Sequence, residues 1–139
     1  MTQPAGFELL EHTADVGIRA WGPDAPEALT QAALALAEIM GVRVAGPGTR
    51  RRVHVAARDR PGVLVALLDE LLWIHESEGV GFVALDVIGL SERDLVGELE
   101  TAPAPANPAG IGVKAATYHQ LALEPRAGGG VEARVFLDV

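Results

Sequence analysis

Residues Phe82 to Thr101 read FVALDVIGLSERDLVGELET: two apolar runs, Phe82–Leu90 and Leu95–Thr101, joined by the turn-forming tetrad Ser91-Glu92-Arg93-Asp94. Each run has the length and the Val, Leu and Ile content of a strand, and the tetrad has the composition of a tight turn. No helix intervenes, and none is readable further along the chain. A doubly wound parallel sheet needs a crossover, usually a helix, between neighbouring strands, so this stretch decides against that fold.

Working outward, Asp59-Arg60-Pro61 opens a helix: the carboxylate can cap orphan amides and proline suits the first turn. Leu64, Leu67, Leu68, Leu71, Leu72 and His75 follow with helical period until Gly79. Before it, Arg51–Arg58 alternates Val53, Val55 and Ala57 with Arg52, His54 and Ala56, a strand entered from the turn Gly46-Pro47-Gly48. Asp24-Ala25-Pro26-Glu27 repeats the helix-start chemistry. Leu29, Ala32, Ala33, Leu36, Ile39 and Met40 then form one buried stripe, ended by Gly41.

At the start, Phe7–Glu11 and Val16–Trp21 read as short strands around His12-Thr13-Ala14-Asp15, with Val16, Ile18 and Ala20 on one face and Gly17, Arg19 and Trp21 on the other. Thr101–Gly112, rich in Pro, Ala and Gly, reads as a connector whose length is also compatible with a flap over a site. Lys114–Leu123 and Val131–Val139 close the chain as a hairpin around Gly128-Gly129-Gly130. The expectation is a single domain over 1–139 of α+β class. It is a two-layer α/β sandwich with two helices and a mostly antiparallel sheet of about seven strands.

The 139 residues, 49% of them hydrophobic, suffice for one core, and mass scaling gives a folded surface of about 6,900 Å². The absence of cysteine excludes disulfide scaffolds, zinc ribbons and thiol catalysis. No apolar run reaches the roughly eighteen residues of a membrane span, and Met1–Gly6 lacks the basic head and apolar stretch of a signal peptide; the expected location is cytoplasmic. Eleven basic and nineteen acidic residues leave a net charge of −8, with Arg50-Arg51-Arg52 the one basic cluster. Direct nucleic-acid binding, which normally relies on a basic face, is thereby disfavoured, and a basic protein or a cation is the better partner.

No phosphate-binding loop, dinucleotide fingerprint, HExxH or GxSxG motif is present. The four histidines, His12, His54, His75 and His119, lack metal-ligand spacing; His54 and His75 read as exposed or structural. Three places carry more. His12-Thr13-Ala14-Asp15 is a polar tetrad that turn chemistry alone would also explain. Lys114-Ala115-Ala116-Thr117-Tyr118-His119 holds the one lysine among ten arginines and the one tyrosine. A compact ammonium is not interchangeable with a guanidinium, though a solvent-facing lysine fits equally. The ending Phe136-Leu137-Asp138-Val139 sets a side-chain carboxylate beside a main-chain one. Docked near Asp15, it would bring three anionic groups together, which requires a cation. An oxygen-only set suits Ca²⁺, Mg²⁺ or Mn²⁺. Two unrelated surface aspartates are the other reading.

Together these segments resemble the archease family, small protein cofactors of the GTP-dependent RNA-splicing ligase. The matching stretches are Glu11–Val16 with Trp21-Gly22, the helix Glu27–Met40, Leu68-Asp69-Glu70-Leu71-Leu72-Trp73, Lys114–His119 and Val135–Val139. They run in family order over almost the whole chain. The resemblance implies a metal site in which Asp15 and Asp138 give carboxylates and Val139 a terminal oxygen. It also implies a protein that is not itself a ligase but helps one complete guanylylation and turn over repeatedly. The joined RNA ends carry a 2′,3′-cyclic phosphate and a 5′-hydroxyl, as in tRNA splicing. Lys114 is expected beside the ion, His12 and His119 in support of the carboxylates, and Asp69 and Glu70 at a partner contact. The rival readings are a stand-alone metal-dependent phosphoester hydrolase using Asp15, His12 and His119, and a general chaperone-like module. The Pro/Ala-rich 101–112 loop and the Gly128–Gly130 turn depart from the family pattern.

Overall fold

The computed structural model describes residues 4–11 and 15–139, for residue 11 the backbone alone. In chain order they form β1 (Gly6–Glu11), β2 (Asp15–Gly22), α1 (Ala25–Met40), β3 (Thr49–Ala56) and α2 (Arg60–Glu78). There follow β4 (Val80–Leu90), β5 (Asp94–Pro103), β6 (Ala115–Ala116), β7 (Ala122–Pro125) and β8 (Val131–Asp138). The accessible surface, 7070 Å², is close to the value expected from mass alone.

Both helices begin and end on residues that leave the chain little choice. Asp24 accepts from Glu27 N–H at 3.0 Å and Asp59 from Gly62 N–H at 2.8 Å, each followed by a proline in the first turn. These carboxylates satisfy amides that have no partner inside the helix. Gly41 and Gly79 stop the helices in the left-handed conformation, at φ 70 and 67, where a Cβ is disfavoured.

Among the described residues the strands divide into two sheets. One has the order β1-β2-β8-β6 with β7 also on β8; the other is β3-β5-β4. Every strand pair is antiparallel, and β4–β5 is the hairpin expected around Ser91–Asp94. Ile18, Ala20, Ala133, Val135 and Leu137 face inward from the first sheet, and Val53, Val55, Leu95 and Leu99 from the second. Both helices pack against both sheets, so one core joins them into an α+β sandwich. The six buried alanines of α1 let its backbone approach the strands closely.

Two details differ from the sequence reading. Among the described residues there are eight strands in two sheets rather than about seven in one. Lys114–Leu123 is also not one strand: β6 pairs with β8 only over Ala115–Ala116, and the chain then turns. Thr117 causes the break. Its hydroxyl donates to Phe136 O at 2.9 Å and accepts from His119 N–H at 3.3 Å, and Gln120 follows at φ 51. A side chain that bonds local backbone in this way competes with the ladder.

The Pro/Ala-rich loop is seated rather than free. Ile111 N–H donates to Ile39 O at 3.0 Å, and at Gly110 a Cβ would lie 2.2 Å from that same carbonyl, so only glycine fits. The loop thus covers the C-terminal end of α1 and, three residues later, delivers Lys114. No helix among the described residues is long and apolar enough to cross a membrane.

Candidate functional site

The first and last long strands of the larger sheet are neighbours, and their register sets Asp15 directly opposite Asp138. Directly opposed residues on antiparallel strands have Cβ atoms about 4.5–5.5 Å apart, so two carboxylates of the same sign share one row. Residues 15, 17, 19 and 21 of β2 and 132, 134, 136 and 138 of β8 point away from the core, because the alternate residues fill it. The row is therefore on the open face of the sheet. Like charges in such a pair are destabilising. Among the described residues neither carboxylate is engaged in an ion pair.

On the other side of β8, Ala115 completes the row opposite Asp138. Lys114, exposed, donates its backbone N–H to Asp138 O at 2.8 Å, which fixes the start of its side chain beside the carboxylate pair. Its ammonium enters no ion pair among the described residues. Val139 follows Asp138 off the end of β8 and is 39% exposed.

The next row is built around an aromatic ring. Phe136 faces Gly17, where a Cβ would come within 2.8 Å of the Phe136 ring and 2.9 Å of Leu10 Cβ. Only glycine leaves room for the ring over β2. His119 meets the same ring edge-on, centroids 5.7 Å apart, which brings the imidazole to the row adjoining Asp138. Thr117, whose hydroxyl holds Phe136 O, shapes the turn that puts it there.

The expected site residues therefore separate into groups. Asp15, Asp138, Val139, Lys114 and His119 are brought to one end of one sheet face. His12, with Thr13 and Ala14, lies outside the described residues. Asp69 is exposed on α2, and its Oδ1 accepts from Ala116 N–H at 2.9 Å, so it touches the site strand itself. Glu70 is half-buried, and its side chain takes part in no hydrogen bond or ion pair among the described residues. His75 is bonded through Nδ1 to Val80 O at 2.8 Å and His54 lies 3.1 Å from Asp94; both are away from the row.

Beside β6 opens a cleft of about 490 Å³, lined by Ala56–Asp59, Gly62, Val65, Ala66, Asp69 and Tyr118. One wall is the passage from β3 into α2 and the other is Tyr118, much later in the chain, a pairing that no local motif signals. Tyr118 stands 70% exposed at its edge.

The donor chemistry of the Asp15–Asp138 row fits a hard divalent cation. Its donors are carboxylate oxygens, and they are negative charges that a cation would relieve. Among the described residues no three His, Cys, Asp or Glu side chains converge as a complete ligand set. The row thus offers two side-chain ligands, with the Val139 main chain beside them.

The profile of the Archease protein family (MTH1598/TM1083) matches residues 7–139. The chain is 36% identical to protein archease of Methanothermobacter thermautotrophicus, over 96% of this chain and 99% of that one. It is 33% identical to protein archease of Methanosarcina mazei over 99% of each. The solution structure of Methanobacterium thermoautotrophicum protein 1598 superposes with a TM-score of 0.76 at 32% identity, over 96% of this chain and 99% of that one. A Thermotoga maritima crystal structure, described as an archease and possible chaperone, gives 0.65 at 21% identity over 100% and 98%, a likeness of fold. A family profile that holds from Phe7 to Val139, and relatives a third identical over nearly the full length of both chains, place this chain in the archease family.

Proposed function

We propose that this chain is a metal-binding accessory protein of the GTP-dependent RNA-splicing ligase, promoting guanylylation of the ligase and its repeated turnover. The observation that carries the reading is the facing pair Asp15–Asp138, uncompensated among the described residues and set beside the one lysine of the chain. Asp15 and Asp138 hold the cation, with a main-chain oxygen of Val139 as a third donor. A divalent ion bound there, Ca²⁺, Mg²⁺ or Mn²⁺, supplies positive charge able to orient phosphate oxygens. Lys114 presents an ammonium with the same preference for phosphate. His119, wedged against Phe136, supports the row from one side.

The site suits a protein that works by touching another. Asp138, Lys114, Tyr118 and His119 are all exposed at one end of the molecule, where a protruding edge can enter a partner's cleft. A net charge of −8 steers that end toward a basic surface, an attraction that salt weakens. A phosphoester hydrolase would instead enclose its substrate, whereas the 490 Å³ cleft is lined by Asp69 and Tyr118 rather than by Asp15 or Asp138.

The test is multiple-turnover ligation by the cognate ligase with this protein added, compared with Asp15→Ala and Asp138→Ala. Loss of stimulation in both variants is expected. Full stimulation by either would remove the carboxylate row from the mechanism.

A further inference from the structure

The strand that carries Lys114 to the carboxylate row is the weakest-held part of the site. β6 is two residues long and lies at the edge of its sheet. Beyond the two-residue ladder of Ala115 and Ala116, its bonds to β8 come from Lys114 N–H, on Asp138 O at 2.8 Å, and from Thr117, whose N–H and hydroxyl both reach Phe136 O at 2.9 Å. The amide of Ala116 points the other way, off the sheet, as the unpaired donors of an edge strand do. That amide is partly buried. It is met there by Asp69 Oδ1 of α2, 47 residues earlier in sequence, at 2.9 Å.

We infer that Asp69 is a positioning residue: its carboxylate, reaching from α2 to the outer edge of β6, holds the Lys114 segment in register with Asp138. This rests on the Asp15–Asp138 row being the working site. Lys114 is then fixed from both sides, by its own N–H on Asp138 and, two residues on, by the Ala116 amide on the helix. Without Asp69 the buried faces of Val113 and Ala116 still pack, but a partly buried donor is left unsatisfied, and such groups are costly. What the contact needs is an acceptor oxygen at the end of a short side chain. Asparagine would supply it and alanine would not. Asp69 thereby differs from Glu70 next to it, which bonds nothing on the sheet.

Hydrogen exchange on the full chain, read amide by amide, tests this with Asp69→Ala, Asp69→Asn and, as a neighbouring control, Glu70→Gln. Alanine is a better helix former than aspartate, so α2 stays folded. In Asp69→Ala the amides of Lys114 and Thr117, whose own acceptors are on β8, are expected to exchange about tenfold faster, the size of one lost hydrogen bond. The amide of Ile18 in β2 should not change. Asp69→Asn and Glu70→Gln should match the wild type in exchange, and ligase stimulation should fall in Asp69→Ala and be restored in Asp69→Asn. Unchanged protection at Lys114 and Thr117 in Asp69→Ala would overturn the inference. So would an Asp69→Asn variant that behaves like Asp69→Ala, which would make the charge the important property. The expected exchange pattern in a protein that stimulates no ligase would uphold the anchoring and sink the ligase reading instead.

Discussion

At one end of the β2–β8 pair Trp21 faces Glu132, and at the other, about 20 Å along the same strands, Asp15 faces Asp138. Both rows are on the open face of one sheet, yet they treat charge in opposite ways. At the Trp21 end Arg19 donates to Glu8 at 2.6 Å and to Glu132 at 2.9 Å. Those bonds, Glu8 first, hold its guanidinium above its ordinary pKa. Arg19 and Arg126 also stand over the Trp21 ring, 5.6 and 4.9 Å from its centroid. Each charge there is answered by the chain itself. At the Asp15 end two acids face each other and nothing among the described residues answers them. A row neutralised from within serves the fold; a row left charged is available to something from outside.

The sharpest way to break that comparison is thermal unfolding with and without a divalent cation. At a free concentration a hundredfold above its dissociation constant, Ca²⁺ or Mn²⁺ would stabilise the protein by about 2.7 kcal/mol. Asp138→Asn should abolish that response. In chelator the same variant should be no less stable than the wild type and up to about 0.5 kcal/mol more so, since it removes a like-charge pair. A cation response that survives Asp138→Asn would mean that the ion binds elsewhere.

Trp21→Ala should give the reverse signature. Removing the ring strips two guanidinium contacts and the surface against Gly6, where a Cβ would already be 2.8 Å from the indole. The expected loss is about 2 kcal/mol, below that of a fully buried tryptophan, with the cation response and ligase stimulation intact. Loss of stimulation at temperatures where the variant is folded would show that the two ends are not separate.

Gly17→Ala probes the ground between them. The new methyl meets the Phe136 ring and Leu10 Cβ below 3.0 Å, and overpacking of this kind costs about 1 kcal/mol or more. Because the displaced ring is the one His119 leans on, cation affinity should fall together with stability, in contrast to both preceding variants. Calorimetric titration with Ca²⁺ alongside the melting curve reads both.

How far these rows were legible in the sequence follows from the range of the forces that build them. The helix ends were fully legible, because Asp24, Asp59, Gly41 and Gly79 act on amides and dihedrals within four residues. The inner and outer faces of β2 followed from strict alternation. The division into two sheets did not, since strand order depends on pairings such as Asp15 with Asp138, more than a hundred residues apart. Thr117 looked like one more strand residue, and only the carbonyl of Phe136 across the sheet turns its hydroxyl into a strand breaker. Asp69 was visible as an acid on a helix; that it bonds an edge amide is a fact of tertiary packing. The sequence pointed to Asp15, Lys114 and Asp138 as chemistry-bearing residues through composition and resemblance, but the row itself needed the register.

The smallest effect belongs to a third carboxylate, on the other sheet, which sharpens the contrast because it is exposed and yet fully partnered. Asp94 accepts from the Ser91 hydroxyl and lies 3.1 Å from His54 Nε2. The Ser91 bond first, and His54 second, hold its carboxyl below the ordinary aspartate value. A carboxyl with a lowered folded-state pKa adds stability above its unfolded pKa and loses it as the pH falls through the lowered value. The β4–β5 turn should therefore loosen only in acid below the usual aspartate range. Ser91→Ala should move the Asp94 titration, followed by carbon NMR of the carboxyl, back toward the ordinary value. The melting temperature at pH 7 should hardly move, because surface pairs contribute little, and ligase stimulation should be unaffected. An Asp94 titration that ignores Ser91→Ala would show that His54, not the turn hydroxyl, sets it. The twin carboxylates of the Asp15 row would then be better compared with an ion pair than with a capped turn.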